Sequence, residues 1–188
     1  MTHALHPFAE SLRHLKTTVT VERKPHGLDF SFVLMGARPV DLGEVVLRPL
    51  LDPRSRSRRD EIWKGTCLEL FVGPSDGRNY VELNLCPSGD WNAYAFDNYR
   101  QGMRQLEDVE PPLVSHSTSP IGDHHIWTAR LSSNQTGGEL ERILASPSLV
   151  LSATAVIEYQ DGVREYWALT HSGEKPDFHI RESFRLAL

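Results

Sequence analysis

Short apolar stretches, alternating with polar residues and punctuated by glycine and proline, set the pattern of this chain. Runs rich in Val, Thr, Leu, Tyr and Phe occupy residues 17–23, 28–34, 45–48, 66–72, 80–85, 91–96, 113–117, 125–131, 149–159, 164–170 and 183–188. Alternation at a period of two in segments this short is the mark of β-strands with one face buried. Roughly ten such strands without a long helical period predict an all-β fold, a β-sandwich of the jelly-roll type. Only 138–145 repeats its apolar residues at helical spacing, and 7–15 is a candidate N-terminal turn. Neither could supply the helical layer of an α/β protein. The chain has no internal repeat and no Gly/Pro-rich linker, so residues 1–188 are expected to form a single domain.

The segment 66–96 allows a face to be worked out by hand. If 74–78 closes a hairpin, Phe71 faces Tyr80, Glu69 faces Glu82 and Cys67 faces Asn84, all on one side of the sheet. Leu68, Leu70, Val72, Val81, Leu83 and Leu85 then share the core side. The turn Pro87-Ser88-Gly89-Asp90 carries this parity into a third strand, with Asn92 opposite Asn84, Tyr94 opposite Glu82 and Phe96 opposite Tyr80, while Trp91, Ala93 and Ala95 join the core. Two glutamates so opposed repel, and the repulsion must be relieved by an arginine or lysine, a bound cation, a shared proton or ligand hydroxyls. Polar groups flanked by aromatic rings also suit a sugar, whose C–H faces stack on rings and whose hydroxyls bond to carboxylates and amides. The structural alternative is a second buried layer in which Arg100, Arg104 or another cation holds Glu69 and Glu82.

Composition narrows the classes. The 188 residues are 39% hydrophobic and 24% charged, ordinary for a globular chain, and no stretch approaches the ~18 apolar residues of a membrane span. Residues 1–16 lack the basic start, apolar run and cleavage site of a secretory signal, so the cytoplasm is the expected compartment. Cys67 and Cys86 cannot make a disulfide framework and form no Cys/His cluster; reduced thiols are expected, with no cofactor. A net charge of -5 argues against nucleic acid as a partner. The basic run Arg54, Arg56, Arg58 and Arg59 reads as a solvated loop whose charges pair with Asp52, Asp60 and Glu61.

The string 59–71, RDEIWKGTCLELF, followed by Tyr80-Val81-Glu82-Leu83-Asn84, Pro87-Ser88-Gly89 and Trp91-Asn92-Ala93-Tyr94, resembles the DOMON-like proteins of bacteria, relatives of the family 9 carbohydrate-binding modules. Residues 97–103, DNYRQGM, and the later strings YWALTH and KPDFH at 166–171 and 175–179 look like further signatures of that group. The resemblance implies a β-sandwich that binds a sugar or haem. In the sugar-binding relatives tryptophans clamp the saccharide and a loop can hold calcium. It therefore points to Trp63 and Trp167 as clamps, although the chain has no obvious acidic calcium loop. Haem-binding relatives use axial Met and His; Met103 with His171 or His179 are the residues available here, and no spacing rule joins them.

Other constellations point elsewhere. His171, Asp177 and His179 could form a metal or acid–base site if their loop folds back; otherwise they pin that loop. Paired Glu69 and Glu82 can be set against the glycosidase arrangement, which places two carboxyls about 5 to 9 Å apart across a scissile bond. Two directly opposed side chains facing the same way fit it poorly. The chain has no nucleophile elbow, P-loop or dinucleotide fingerprint. The expected function is therefore non-catalytic recognition of a small molecule, a saccharide or similar polyol, by Trp63, Glu69, Tyr80, Glu82, Asn84, Tyr94, Arg100 and Trp167. The alternatives are an enzyme acting on a sugar or phosphorylated small molecule through His171, Asp177 and His179, and a protein-interaction module.

Overall fold

The computed structural model describes residues 1–11 and 13–188. Five strands make one layer: β1 (Thr2–Pro7), β2 (Leu15–Lys24), β3 (Gly27–Gly36), β8 (Ser115–Thr118) and β9 (His124–Ser132), in the order β1-β2-β3-β9-β8. The other layer runs β7-β6-β5-β4-β10-β11, built from β4 (Cys67–Pro74), β5 (Tyr80–Leu85), β6 (Trp91–Phe96), β7 (Arg104–Gln105), β10 (Leu149–Glu158) and β11 (Arg164–Ala168), with β12 (Leu186–Ala187) on β10. All these pairings are antiparallel. Strand β1 joins the layers, because Thr2 to Leu5 pair with β2 and His6 and Pro7 pair with β11. Short helices α1 (Pro39–Gly43) and α2 (Glu139–Leu144) complete an all-β sandwich.

Alternation decides what fills the interior. Val19, Val21, Phe30, Phe32, Trp127 and Leu131 from the first layer meet Leu68, Leu70, Leu83, Leu151, Ala153 and Ala155 from the second, all buried in one cluster. At about 25 cal/mol per Å² of apolar surface removed from water, this interface is the main source of stability. The small alanines of β6 and β10 make room for the large rings opposite, and Trp91 joins the cluster as parity requires.

The second layer is buried on its outer face as well. Phe71, Tyr80, Tyr94 and Phe96 form a second cluster with Phe184. The roof above it is the C-terminal segment through the 3-10 turn Arg181–Ser183, together with the 3-10 turn Ile62–Lys64, from which Trp63 packs against the rings.

Several expectations need correction. The β4–β5 register pairs Phe71 with Glu82 and Glu69 with Asn84, two residues away from the expected pairing. Face assignments survive because the offset is even. The cause is that β4 runs on through Gly73, which lies against Tyr80: a Cβ on Gly73 would stand 3.1 Å from the Tyr80 Cβ and 2.5 Å from the Asn79 carbonyl oxygen. Residues 45–48 form only a single bridge, Val45 to Tyr159, before Pro49 removes the next donor. The expected strand 183–188 shrinks to β12 behind the turn Arg181–Ser183. Strand β1 carried no clear signal because Leu5 is its only buried side chain. The candidate turn 7–15 includes residue 12, which lies outside the described residues.

Trp167 does not stand at a binding surface. It is 3% exposed, packed in the sandwich interior, with its indole N–H donating to Glu165 at 3.1 Å. Trp167→Ala should therefore cost about 3–5 kcal/mol of stability, read as a lowered urea midpoint with unchanged m-value. Trp63→Ala should move the midpoint far less, since Trp63 is only partly buried.

Candidate functional site

The outer face of the second layer opens into a cavity of about 420 Å³ under its roof. Its floor carries Glu69 and Phe71 from β4, Glu82 from β5, Phe96 from β6 and Val156 from β10. Arg164 and Tyr166 project from β11, Trp63 and Lys64 from the 3-10 turn, and Pro176, Phe178 and His179 from the C-terminal segment. Arg100 and Met103 reach in from the loop between β6 and β7. That loop is tight: Arg100 adopts a left-handed φ of 49°, and at Gly102, with φ 66°, a Cβ would collide with the Asp97 carboxylate.

The two floor carboxyls are 3% and 6% exposed. Glu69 accepts a hydrogen bond from the Thr154 hydroxyl at 2.9 Å, and Glu82 accepts one from the Asn84 amide at 2.7 Å. Among the described residues no arginine or lysine pairs with either. Arg100 is bound by Asp177, and Arg104 by Asp97 and Glu139, so neither arginine forms an ion pair with Glu69 or Glu82. Burial, reinforced for Glu69 by its neighbour Glu82 and opposed at Glu82 by the Asn84 hydrogen bond and the Arg100 charge, pushes both carboxyls well above the usual carboxylate range. This shift favours a proton on the pair near neutral pH, and a protonated carboxyl can donate as well as accept.

His179 closes this floor. The backbone N–H of Arg100 donates to the Tyr80 hydroxyl oxygen at 3.3 Å, and the same hydroxyl shares a hydrogen bond with the His179 Nδ1 at 2.8 Å. The His179 Nε2 stands 3.8 Å from the Glu82 Oε2. Burial, with the nearby Arg100 charge, lowers the imidazole to about 4, so it stays neutral. Asp177 holds Arg100 at 3.0 Å and Tyr99 at 2.5 Å, and caps the His179 backbone N–H at 3.1 Å.

The other residues singled out in the sequence divide by role. Trp63, Glu69, Glu82 and Arg100 line the cavity. Tyr80, Asn84 and Tyr94 do not; they lie behind it and hold those that do. Tyr80 orients His179 and Asn84 holds Glu82. The Tyr94 ring meets Trp63 edge-on at 5.7 Å, its hydroxyl donating to Asp60 at 2.7 Å. Sequence reasoning missed Tyr166, Phe178, Lys64, Arg164 and Met103 as lining residues. Tyr166 was legible: in β11 it alternates with Trp167 and must face the opposite side.

The His/Asp/His cluster does not converge. His171 Nε2 bonds to the His6 carbonyl at 2.8 Å, and its ring lies between Phe8, edge-on at 5.2 Å, and Phe178 at 6.4 Å. Among the described residues no group of three or more His, Cys, Asp and Glu gathers as a metal site requires. His179 does not fit as an axial haem ligand, because Tyr80 engages one of its ring nitrogens and Glu82 faces the other. Cys67 is fully buried and its thiol is pushed up by desolvation, consistent with an inert packing role. The arginine run finds partners other than those expected: Arg59 pairs with Asp90, Arg58 lies over Trp91 near Glu107, and Arg56 donates to the Leu51 and Val114 carbonyls.

A carboxyl raised in the folded state contributes its full share below the ordinary value of 4.5, and that share is lost as pH rises through the raised value. His179, depressed from 6.5, acts in the opposite limb, losing stability as pH falls toward 4. Urea unfolding between pH 6.5 and 8.5 should therefore show stability falling with pH. Glu69→Gln should flatten that slope, recovering about 1–3 kcal/mol at the alkaline end. A slope unchanged in the variant would mean that Glu69 is ionised in the folded protein.

No family model matches this chain, and no curated protein matches it by sequence. Solved structures do match in shape. One is a protein from Bacteroides uniformis proposed to bind carbohydrate, 10% identical, with a TM-score of 0.66 over 98% of this chain and 84% of that one. Another is a family 9 carbohydrate-binding module from Caldicellulosiruptor kristjanssonii in complex with glucose, 12% identical, with a TM-score of 0.42 over 87% of this chain and 70% of that one. The first of these likenesses shows that this chain shares a known sandwich fold.

Proposed function

We propose that this chain is a non-catalytic binding domain that takes a saccharide, or a similar polyol-bearing small molecule, into the cavity on the outer face of its second layer. The observation that carries this reading is the floor itself: two buried carboxyls, raised by burial above the usual carboxylate range, set among aromatic rings. A sugar hydroxyl both donates and accepts, and a protonated carboxyl answers both ways without the cost of confining a charge. Glu69, Glu82 and Arg100 supply hydrogen bonds. Trp63, Tyr166 and Phe178 supply ring faces and edges for the C–H surfaces of a pyranose. The volume of about 420 Å³ lies in the lower part of the roughly 300–1,000 Å³ range of small-molecule sites. The fold shared with a protein from Bacteroides uniformis proposed to bind carbohydrate supports the same reading.

A thermal-shift screen against mono- and oligosaccharides tests it. A bound sugar at 100 times its dissociation constant contributes about 2.7 kcal/mol to the folded state and should raise Tm by several degrees. Trp63→Ala should remove that rise while the unliganded variant still melts cooperatively within a few degrees of the parent. The absence of a shift with every saccharide in the panel would overturn the reading.

A further inference from the structure

Beside the first cavity lies a second, of about 410 Å³, and the Lys64 and Arg164 side chains belong to the walls of both. The two cavities differ in character. The one beneath the roof, here called inner, has the aromatic floor with its two raised carboxyls; the other, here called outer, is lined largely by charged groups, among them Arg48, Arg59, Asp60, Glu61, Asp90 and Glu158. Most of those charges are already matched. Arg59 pairs with Asp90, Lys64 with Glu61 and Arg164 with Glu158, while Asp60 accepts from Asn92 and Tyr94. Arg48, an exposed residue of the same lining, has no ion pair or side-chain hydrogen bond among the described residues.

Building on the saccharide reading, we infer that the ligand is an acidic saccharide of at least two units. Its uncharged ring occupies the inner cavity, its carboxylate or phosphate sits where Lys64 and Arg164 separate the two cavities, and the chain continues past Arg48. Three observations support this. Lys64, Arg100 and Arg164 line the inner cavity together with only two acids, Glu69 and Glu82, whose carboxyls burial raises above the usual carboxylate range, while the Asp177 partner of Arg100 stands outside that lining. The acids that pair with Lys64 and Arg164, Glu61 and Glu158, line the outer cavity instead. Both pairs reach solvent, so either cation can exchange its carboxylate for a ligand anion at little cost, and Arg164 can present two parallel N–H donors to it. One ring cannot fill both spaces, and Arg48 adds a further positive charge to the outer cavity.

The test is a glycan array carrying neutral, uronate-bearing, sulfated and phosphorylated glycans, followed by titration of the best-bound glycan and its uncharged counterpart. The acidic form should bind at least about tenfold tighter, with an affinity that falls as NaCl is raised. The double variant Lys64→Ala/Arg164→Ala should lose roughly ten- to a hundredfold for the acidic form and much less for the neutral one. Arg48→Ala should weaken longer acidic glycans and spare single acidic sugars. Which of the uronate, sulfated and phosphorylated glycans binds identifies the anion. Equal binding of charged and uncharged counterparts, or an acidic preference that survives the double variant, would overturn the inference and leave the saccharide reading standing. No glycan bound at all would overturn both.

Discussion

Two carboxyl groups on a sheet buried on both faces set the terms for the rest of this molecule. Glu69 and Glu82 cannot be ionised together in that position, since a buried charge without a counter-ion costs several kcal/mol. The fold supplies no arginine or lysine to either among the described residues. Burial instead raises both carboxyls toward the protonated form, and around them stand a threonine hydroxyl, an asparagine amide and a neutral histidine, each within or near hydrogen-bonding reach. The histidine is neutral for the same reason the acids are, because the roof excludes water from all three.

That roof makes a stability problem into a site. Were the outer face of β4, β5 and β6 open to water, the glutamates would ionise and the rings would be ordinary surface aromatics. The C-terminal segment and the turn bearing Trp63 cover the face incompletely, leaving a void lined by groups that have lost their water. Residues buried behind the void serve by holding others: Tyr80 through His179, Tyr94 through Trp63, and Asp177 through Arg100. Their substitution would disturb the cavity without touching its contents. A preorganised site of this kind costs folding energy that the sandwich core must offset.

Much of this was legible from alternation alone. Parity put Glu69, Phe71, Glu82, Asn84, Tyr94 and Phe96 on one face and the leucines on the other, and the strands agree. The partner of each residue across β4 and β5 was less secure, since an extension of the strand by two residues leaves parity intact while moving Glu82 from Glu69 to Phe71. The roof was not legible at all. Residues 172–185 have no period, and nothing local says that Phe178, His179 and Phe184 fold back over a sheet formed far earlier in the chain. Trp167 was misplaced for a different reason. A tryptophan beside a tyrosine in a strand leaves open which ring faces inward until the neighbouring strand is known, and pairing with Ala155 puts Trp167 in the core.

The distribution of charge across the two cavities follows from the same physics. Charged side chains survive where water or an opposite charge reaches them, so Arg59, Lys64 and Arg164 line the outer cavity with acids beside them, and Arg48 lines it exposed to water. Uncharged polar groups survive deeper, provided that each finds a partner, as Glu69 and Glu82 do. A ligand that enters this gradient must match it in order: hydroxyls and C–H faces first, charge last. An anionic group driven to the floor would sit against two carboxyls and force their protons to stay. At the rim it meets cations whose present partners are solvent-exposed and replaceable. Burial itself would therefore orient a mixed ligand, before any particular hydroxyl is recognised.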